Sequence, residues 1–459
     1  MSLLAEWLNL ARQWEDVFPQ PRTHKRALRQ ALASLVCLGR RCLSRIIWTH
    51  GGQQHSWSAE YFLHSRCHWE PQQLFQPILE RALPYCSQRL IGVALDDTRL
   101  RKTGRSIPQA FYQRDPMSPP FHVNLSLGLR FLQASLLLPL HRHAQVGARA
   151  VPVRFEEVSR IKRPGKKATE QMKQEYRAAV KQHNLSTRFV DMGKQLRTAL
   201  DEAGGADKLL VLTGDGSFCN RTCFRQIPPR SVLLVRARKD AKLCLRAPAD
   251  SKRFYALDKF TPEQVRKDEA HPWKMTKIFY GGKRRKVRYK VVPAVYWQTG
   301  ARQTPLRLLV VAPTAYRKTK SKRLYYRDPA YLLTTDLRSS VKQLLQIYFD
   351  RWQIEVNHRE EKGTLGVGQA QLWNATAVPK QPVLAVAAYS ALLLAALQAF
   401  GPERSKAYAA LPKWRRNPRR PSCLDLVTLL RKEITQQTHL AADLGFAITN
   451  TTLVQAAAA

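Results

Sequence analysis

The chain has 459 residues, of which 76 are Lys or Arg and 34 are Asp or Glu, so its formal net charge is +42. A hydrophobic share of 44% is too high for a disordered chain, and the length predicts about three domains. The charge is spread along the whole sequence and exceeds what solubility needs. This excludes a single basic tail and favours a polyanionic partner, above all nucleic acid.

Residues 1–88 are predicted to form short helices and are the first candidate DNA-binding domain. Basic residues alternate with aromatic ones in this region, which suits a small helical DNA-binding unit. A helical unit that serves only for packing or dimerisation explains the pattern equally well. The tryptophans predicted to anchor its packing are Trp7, Trp14, Trp48, Trp57 and Trp69.

The eight cysteines include no Cys-x-x-Cys pair, and the first residues lack the basic and apolar pattern of a signal peptide. Both features predict free thiols in a reducing cytoplasm. Cys219 and Cys223 could hold zinc together with His50 or His68. A second close pair of ligands is missing, however, so a zinc site is the less favoured interpretation.

Two short apolar runs within residues 89–237 are each followed by acids, which predicts strands with carboxylates at one edge of a sheet. Residues 90–95 precede Asp96 and Asp97, and residues 208–213 precede Asp215. Strands that alternate with helical segments indicate an α/β fold. The other elements predicted here are two strands in 121–140, a helix over 168–203 that ends at Gly204, and a buried strand at 231–236.

Residues 238–335 show a different sequence pattern, in which short predicted strands alternate with basic turns. The strands are predicted at 286–292, 294–297 and 306–311, and the segment as a whole is predicted to be a β-rich insertion. Its turns and a later cluster at 415–420 are candidates for phosphate contacts, which position a protein on DNA without reading its sequence. Solvated loops are the alternative. The basic residues singled out in the turns are Lys283, Arg284, Arg285, Lys318 and Lys320.

The apolar run at 383–400 reaches the length at which a membrane-spanning helix must be considered. It is rich in alanine and includes Tyr389, Ser390 and Gln398. A buried core helix is therefore the preferred prediction, and no membrane partner is expected.

A polar stripe is predicted on a helix over residues 340–362. Tyr348, Arg351, Glu355 and Lys362 fall within roughly a 60° sector at about 100° per residue. The residues around them are largely apolar, so the helix is predicted to pack on more than one side. Its polar stripe then faces a site, although an ordinary solvated Arg–Glu pair remains the alternative.

Acids inside such a basic chain suit the cutting of phosphodiester bonds. Divalent Mg²⁺ binds a few carboxylates and keeps positions for water and substrate oxygens. Two such ions can activate an attacking water and stabilise a leaving oxygen. Taken singly, each aspartate that follows a strand could equally be a turn or cap residue.

The pattern Y-x2-R-x3-E-x6-K, formed by Tyr348, Arg351, Glu355 and Lys362, resembles the signature of DDE insertion-sequence transposases. The matching branch is the large bacterial group typified by insertion sequence four. The segment at 96–98 is similar to the first motif of that group, and the segment at 214–218 is similar to its second. The resemblance covers about residues 56–400 in order.

This resemblance implies an α/β, ribonuclease-H-like catalytic core that a β-rich insertion interrupts. The core would comprise residues 89–237, with both aspartate motifs, and 336–400, with the glutamate helix. The insertion would be 238–335. The helical N-terminal region, 1–88, would bind DNA, and the helical C-terminal region, 401–459, would contact DNA or a second subunit.

The resemblance also implies a site and a chemistry. Asp96, Asp215 and Glu355 would hold Mg²⁺ or Mn²⁺, with Asp97 as the alternative to Asp96. Cut-and-paste cleavage and strand transfer would act on terminal inverted repeats and target DNA, by a homodimer on paired ends at the bacterial nucleoid. The implied DNA contacts are Tyr348, Arg351 and Lys362, with Trp297 as a holder of a flipped base or, more simply, a buried strand tryptophan.

Two other functions remain open at this point. The chain could be a domesticated descendant of a transposase that binds DNA without cutting it. All three acids are present, which argues against the loss of cutting. It could also be a metal-dependent nuclease that performs no strand transfer, and the sequence does not separate this from a transposase.

Overall fold

A computed structural model of the chain describes residues 2–115, 118–119, 121–317, 323–414 and 418–446. The α-helices are Leu3–Arg12 (α1), Pro21–Val36 (α2), Leu43–Thr49 (α3), Trp57–Ser65 (α4), Gln76–Ala82 (α5), Glu170–Gln182 (α6), Leu185–Glu202 (α7), Arg221–Arg225 (α8), Pro262–Lys267 (α9), Gln298–Ala301 (α10), Val341–Asp350 (α11), Gln353–Arg359 (α12), Ala377–Phe400 (α13), Cys423–Gln436 (α14) and Thr438–Ala442 (α15). The strands are Leu90–Arg101 (β1), Phe111–Arg114 (β2), Leu125–Leu138 (β3), Arg149–Glu157 (β4), Leu209–Gly214 (β5), Ser231–Arg236 (β6), Leu243–Arg246 (β7), Tyr255–Phe260 (β8), Lys274–Tyr280 (β9), Lys283–Val295 (β10), Leu306–Val311 (β11), Ala315–Tyr316 (β12), Tyr325–Tyr326 (β13) and Ala330–Thr334 (β14).

A ten-stranded mixed sheet organises the molecule. Its order is β2-β3-β1-β5-β6-β14-β11-β10-β9, and β4 also pairs with β3. Strands β1, β5 and β6 are parallel to one another, while β3 is antiparallel to β1. A large mixed sheet with many helices is consistent with the ribonuclease-H-like fold that the resemblance implies.

The strands predicted at 286–292 and 294–297 are one strand, β10, which ends at Val295, and the strand predicted at 306–311 is β11. Both belong to this same sheet, together with β9 and β14. Strand β14 pairs with β6, and β11, β10 and β9 follow outward from it. Only β7 with β8 and β12 with β13 form separate two-stranded sheets within the described residues. Residues 274–334 therefore widen the core sheet next to β6.

Strand β1 is longer than its apolar run predicts. It pairs with β5 only up to Ala94, but its antiparallel pairing with β3 continues to Arg101. Asp96 and Asp97 thus lie inside a paired strand, and their predicted position at the strand end was wrong. The two strands predicted in 121–140 are a single strand, β3, which pairs first with β2 and then with β4.

Local capping divides the helix predicted over 168–203. The side chain of Asn184 accepts a hydrogen bond from the Thr187 backbone NH at 3.0 Å and so starts α7 separately from α6. The predicted end is confirmed, because Gly204 follows α7 with a φ of 81°, a conformation that glycine adopts without steric cost.

The long apolar helix α13 lies in the core, as predicted. It is long and apolar enough to cross a membrane, but 83% of its apolar window is buried inside the fold. Helices α1 and α2 and strand β4 pack against it. Helices α1 and α14 also meet, because the Leu4 backbone NH donates to Glu433 of α14 at 2.7 Å.

The N-terminal region is helical, as predicted, and its first helices pack on the core. The Trp7 indole NH donates to the Ala388 carbonyl of α13 at 3.1 Å, and Trp14 and Trp69 are also buried. Trp48 and Trp57 are 39% and 56% exposed, so their prediction as packing anchors was wrong. These contacts favour the packing interpretation of this region, and DNA binding by it stays a prediction.

Candidate active site

Parallel pairing brings Asp96 and Asp215 to the same edge of the sheet. Ala94 of β1 is in register with Thr213 of β5. Two residues further along each strand lie Asp96 and Asp215, at the level where the parallel ladder ends. The first two acids predicted for the site are therefore neighbours across adjacent strands.

Asp96 and Asp97 lie on opposite faces of β1, because successive side chains of a strand alternate. Ala94, on the Asp96 face, packs with Ile354 of α12. The Asp96 face is thus the one covered by the helix that carries Glu355. Asp97 forms an ion pair with Arg130 of β3 at 2.8 Å. The geometry favours Asp96 over Asp97 as the partner of Asp215.

Asp215 follows β5 and begins a tight turn. Its carboxylate accepts hydrogen bonds from the Ser217 backbone NH at 2.9 Å and from the Ser217 hydroxyl at 2.5 Å. Gly214, just before Asp215, leaves space for the turn, since a Cβ at this position would lie 2.6 Å from the Phe218 ring. The turn fixes one carboxylate oxygen and holds Asp215 at the sheet edge.

The helix predicted over 340–362 is not continuous. Helix α11 ends at Asp350, α12 begins at Gln353, and Lys362 lies in a π-helical turn, Glu360–Thr364. The prediction of one continuous helix with a single polar stripe was therefore wrong. Arg351, at the break, nonetheless forms an ion pair with Glu355 at 3.6 Å.

The π-helical turn directs Lys362 toward β1. Its ammonium group donates to the Thr98 hydroxyl at 3.0 Å. Thr98 lies on the same face of β1 as Asp96, two residues further along. Desolvation lowers the pKa of Lys362, and the nearby acids Glu361 and Asp96 act in the opposite direction. Lys362 thus lies within electrostatic reach of Asp96.

The acids of the site repel one another. Burial, together with the charges of Asp215 and Asp97, raises the pKa of Asp96 to about 7, and the charge of Arg351 opposes this shift. The pKa of Glu355 is also raised, first by desolvation, with Arg351 lowering it and Asp215 raising it. Asp215 thus acts on both other members of the predicted trio.

The chemistry of these donors suits a hard divalent cation. Oxygen ligands in a partly buried, mutually repelling set are those that Mg²⁺ or Mn²⁺ would stabilise. Among the residues that the structure describes, no three or more His, Cys, Asp or Glu side chains are grouped closely enough to hold a metal as they stand. The Cys223 thiol, one of the candidate zinc ligands, faces the Ser186 carbonyl.

A buried polar network, which no motif in the sequence predicts, holds α12 on the sheet. The Asn357 side chain accepts a hydrogen bond from Ser135 of β3 and donates to the Ala150 carbonyl of β4, both at 3.0 Å. Its amide also donates to the Tyr389 hydroxyl of α13 at 3.0 Å. Asn357 is 2% exposed and lies two residues after Glu355. The network therefore fixes the segment that carries Glu355.

Glu360 and Glu361 point away from the site. Glu360 accepts a hydrogen bond from the Tyr389 hydroxyl at 2.5 Å. Glu361 is 1% exposed, and burial raises its pKa to about 8. Both acids belong to the core beneath α12.

Tyr348 and Arg351 border a cavity of about 480 Å³ beside the break in the helix. Other aromatic and basic residues share its wall, including Arg236, Arg327 and Trp352. Arg236 ends β6, next to the strand that precedes Asp215. The predicted DNA contacts Tyr348 and Arg351 thus lie in a basic and aromatic surface at the edge that carries the acids.

The cluster Lys283, Arg284 and Arg285 lies at the start of β10, after a glycine turn at Gly281 and Gly282. Lys283 and Arg284 are exposed, and Arg285 is partly buried. The strand pairing from β6 to β10 places the turn between β9 and β10 at the same end of the sheet as Asp215. Lys318, Lys320 and residues 415–417 of the C-terminal cluster lie outside the described residues.

Trp297 does not join the acids. It follows β10 and packs edge-on against Phe224, with ring centroids 5.7 Å apart. The antiparallel pairing from β6 to β10 carries this end of β10 to the side of the sheet opposite Asp215. Trp297 is also only partly buried and lies outside a strand, so neither predicted role matches its position.

A family model described as DDE superfamily endonuclease matches residues 14–304 of the chain, which is more than half of its length. The matched region includes Asp96 and Asp215 and ends before the segment that carries Glu355. No curated protein matches the chain.

Proposed function

Because the chain belongs to the DDE superfamily endonucleases, we propose that it is a transposase of the insertion-sequence-four-like group. It would cut DNA at the ends of its element and join the freed ends to target DNA. Asp96, Asp215 and Glu355 are proposed as its catalytic acids. Tyr348, Arg351 and Lys362 would complete the signature of the group.

One observation carries the proposal: Asp96 and Asp215 end up side by side at the edge of the parallel ladder. Residues from a third, distant segment meet them there, since Arg351 and Glu355 interact electrostatically with Asp96 and Asp215 respectively. The surrounding chain has a net charge of +42. Acids gathered inside such a positive surface suit a polyanionic substrate cut at a carboxylate-bound cation.

Each residue of the proposed active site has its own task. Asp96, Asp215 and Glu355 would hold Mg²⁺ or Mn²⁺, which when bound supplies the charge that activates water and stabilises the departing oxygen. Arg351 orients the Glu355 carboxylate through their ion pair. Lys362, held by Thr98, lies where it can contact a phosphate next to Asp96.

Strand transfer and recognition of inverted repeats are the finer part of the proposal. Joining two element ends requires two active sites, so we infer a homodimer on paired ends. A metal-dependent nuclease without strand transfer and a domesticated DNA-binding protein are the competing functions. The retained acids favour cutting over binding alone.

The test uses purified full-length chain and DNA that carries the inverted repeats and flanks of its own gene. With Mg²⁺ or Mn²⁺ we expect nicks at the element ends and, with target DNA, joined products on denaturing gels. Glu355→Gln should abolish both products and leave DNA affinity nearly unchanged. Glu175→Gln, at an exposed site on α6, is the matched control and should cut normally.

The possible outcomes separate the candidate functions. Nicks without any joined product would support the nuclease and overturn the transposase. Binding without nicks in the presence of either metal would support the domesticated protein. Normal cutting by Glu355→Gln would show that the trio is assigned wrongly.

A further inference from the structure

A second cleft, of about 950 Å³, opens beside the candidate active site. Its floor is the part of β1 beyond Asp96, together with β2, and its rim includes Lys362 and the loop at Gly368. Thr98 lies at the end nearest to Asp96, where Lys362 donates to it. The cleft therefore leads directly away from the catalytic acids.

The charge of this cleft is strongly positive. Six Lys or Arg side chains line it, against two acids, Asp97 and Asp115. The two carboxylates balance two of these six positive charges, so the cleft keeps an excess of four positive charges. The cations are Arg40, Arg99, Arg101, Arg114, Arg130 and Lys362.

Asp115 forms ion pairs with two of these arginines, Arg99 and Arg101. Its carboxylate accepts a hydrogen bond from Arg101 at 2.8 Å and lies 3.7 Å from the Arg99 guanidinium. The Asp115 side chain is 15% exposed, whereas that of Arg101 is 74% exposed. A carboxylate shared by two guanidinium groups has the geometry with which arginines bind a phosphate.

A basic strap continues the cleft. Residues 160–167 contain five Lys or Arg among eight residues. Arg160, the first of them, lies over the ring of Phe111, 5.6 Å from its centroid, and Phe111 lines the cleft. The Val158 backbone NH, just before the strap, bonds to the Arg130 carbonyl at 2.8 Å. The strap thus extends the positive surface outward from the cleft.

We propose that this cleft binds the backbone of the DNA that flanks the cut, and that Asp115 takes the place of a phosphate on Arg99 and Arg101 when DNA is absent. The inference rests on the proposed function for the position of the cut. Phosphates entering the cleft compete with Asp115 for the two guanidinium groups. DNA affinity is therefore lowered by an acid built into the binding surface.

The decisive variant is Asp115→Asn, which keeps an acceptor oxygen and removes the competing charge. Binding of a duplex is measured against salt in the presence of a metal chelator, so that no cutting occurs. We expect tighter binding than for the unchanged chain. Arg101→Gln should bind more weakly, with a salt slope smaller by about one, the value for one lost phosphate contact.

The chain offers a matched control at the other end of the sheet. Asp201 also contacts two arginines, Arg197 and Arg230, each at 2.5 Å. Asp201→Asn changes net charge by the same amount as Asp115→Asn, and Arg230→Gln matches Arg101→Gln. Circular dichroism spectra and melting curves check that all four variants fold.

The proposal is overturned if Asp115→Asn gains no more affinity than Asp201→Asn, or if Arg101→Gln keeps the full salt slope. Tighter binding of RNA than of DNA of equal length would also overturn it. Failure of the proposed function looks different, since the binding changes would then appear in a chain that never cuts DNA. Normal cutting with unchanged binding in the variants would refute only the cleft.

Discussion

Asp96 and Asp97 show how one step along a strand changes the role of a carboxylate. Asp96 lies on the face covered by α12, and the charge of Asp215 raises its pKa. Asp97 faces the other way and is paired with Arg130. Adjacent acids of one sequence motif therefore have different partners, one in the candidate active site and one in the basic cleft.

We expect the two amide substitutions to differ in effect. Asp96→Asn should lower cutting by roughly a hundredfold or more, the effect of losing a key electrostatic group at a reacting centre. Asp97→Asn should keep most of the activity, because Asp97 lies on the opposite face of β1. Initial rates of nicking on end DNA measure both. Equal losses in the two variants would contradict the assignment of Asp96.

Asp350 makes stability depend on pH. It is 8% exposed, and burial raises its pKa from 3.8 to about 8, although Gln346 and Arg142 oppose the shift. Between these values the unfolded chain has lost a proton that the folded chain keeps. Raising the pH through this range therefore favours unfolding, and the stabilising effect of the retained proton is lost by about pH 8.

Asp350→Asn should remove this dependence, because an asparagine is neutral in both states and can still accept the hydrogen bond from Gln346. Its melting temperature should exceed that of the unchanged chain at pH 8, and the difference should shrink toward pH 4. Melting curves across this range provide the measurement. A difference that is constant with pH would argue that Asp350 is ionised in the fold.

Among the elements, α12 depends on its surroundings more than on its own sequence. It has seven residues, and α11 is separated from it by Arg351 and Trp352. Helices this short are not stable alone in water. The bonds of Asn357 to β3, β4 and α13 supply the missing support. The position of Glu355 is thus set by three distant parts of the chain.

Asn357→Ala should destabilise the fold by about 1–3 kcal/mol, because it leaves buried partners without hydrogen bonds. It should also lower kcat with little change in DNA affinity, since Glu355 loses its fixed position. Urea unfolding and single-turnover cutting are the measurements. Asn357→Ser, which keeps part of the hydrogen bonding, should recover some of both losses. An unchanged kcat in folded Asn357→Ala would refute the positioning role.

The elements also show what sequence patterns can predict. The strands β6 and β11 occur at the predicted residues, because buried strands consist of continuous apolar runs. The motifs at Asp215 and Glu355 are equally local patterns, and their assignment to the active site stays a prediction. The full length of β1, the choice between Asp96 and Asp97, and the break in the helix depend on pairing and packing with residues far away. Asn357 and the cleft arginines were missed because only the fold brings their partners together.

At the scale of the whole molecule, the N-terminal helices α1 and α2 and the C-terminal helix α14 all pack against α13. Trp7 bonds to the carbonyl of Ala388, and Leu4 bonds to Glu433. The N-terminal helices are therefore part of the same core as the sheet. Their contribution to stability comes from contacts across nearly the entire sequence.

Trp7→Ala should destabilise the whole fold by about 3–5 kcal/mol, the usual cost of removing a fully buried tryptophan. Trp57→Ala, at an exposed position on α4, should change stability by no more than about 0.5 kcal/mol. Chemical denaturation followed by circular dichroism compares them. If Trp7→Ala loosened only the N-terminal helices and left the sheet transition unchanged, the region would fold independently.

The bond between Leu4 and Glu433 has a consequence for how the protein is made. A ribosome adds roughly 5–20 residues per second, so the first helices wait many seconds before their packing partners exist. They cannot complete their fold early in translation, as an independent N-terminal domain would. A message that stops before residue 377 would therefore yield a polypeptide whose beginning, and not only its missing end, lacks a place to pack.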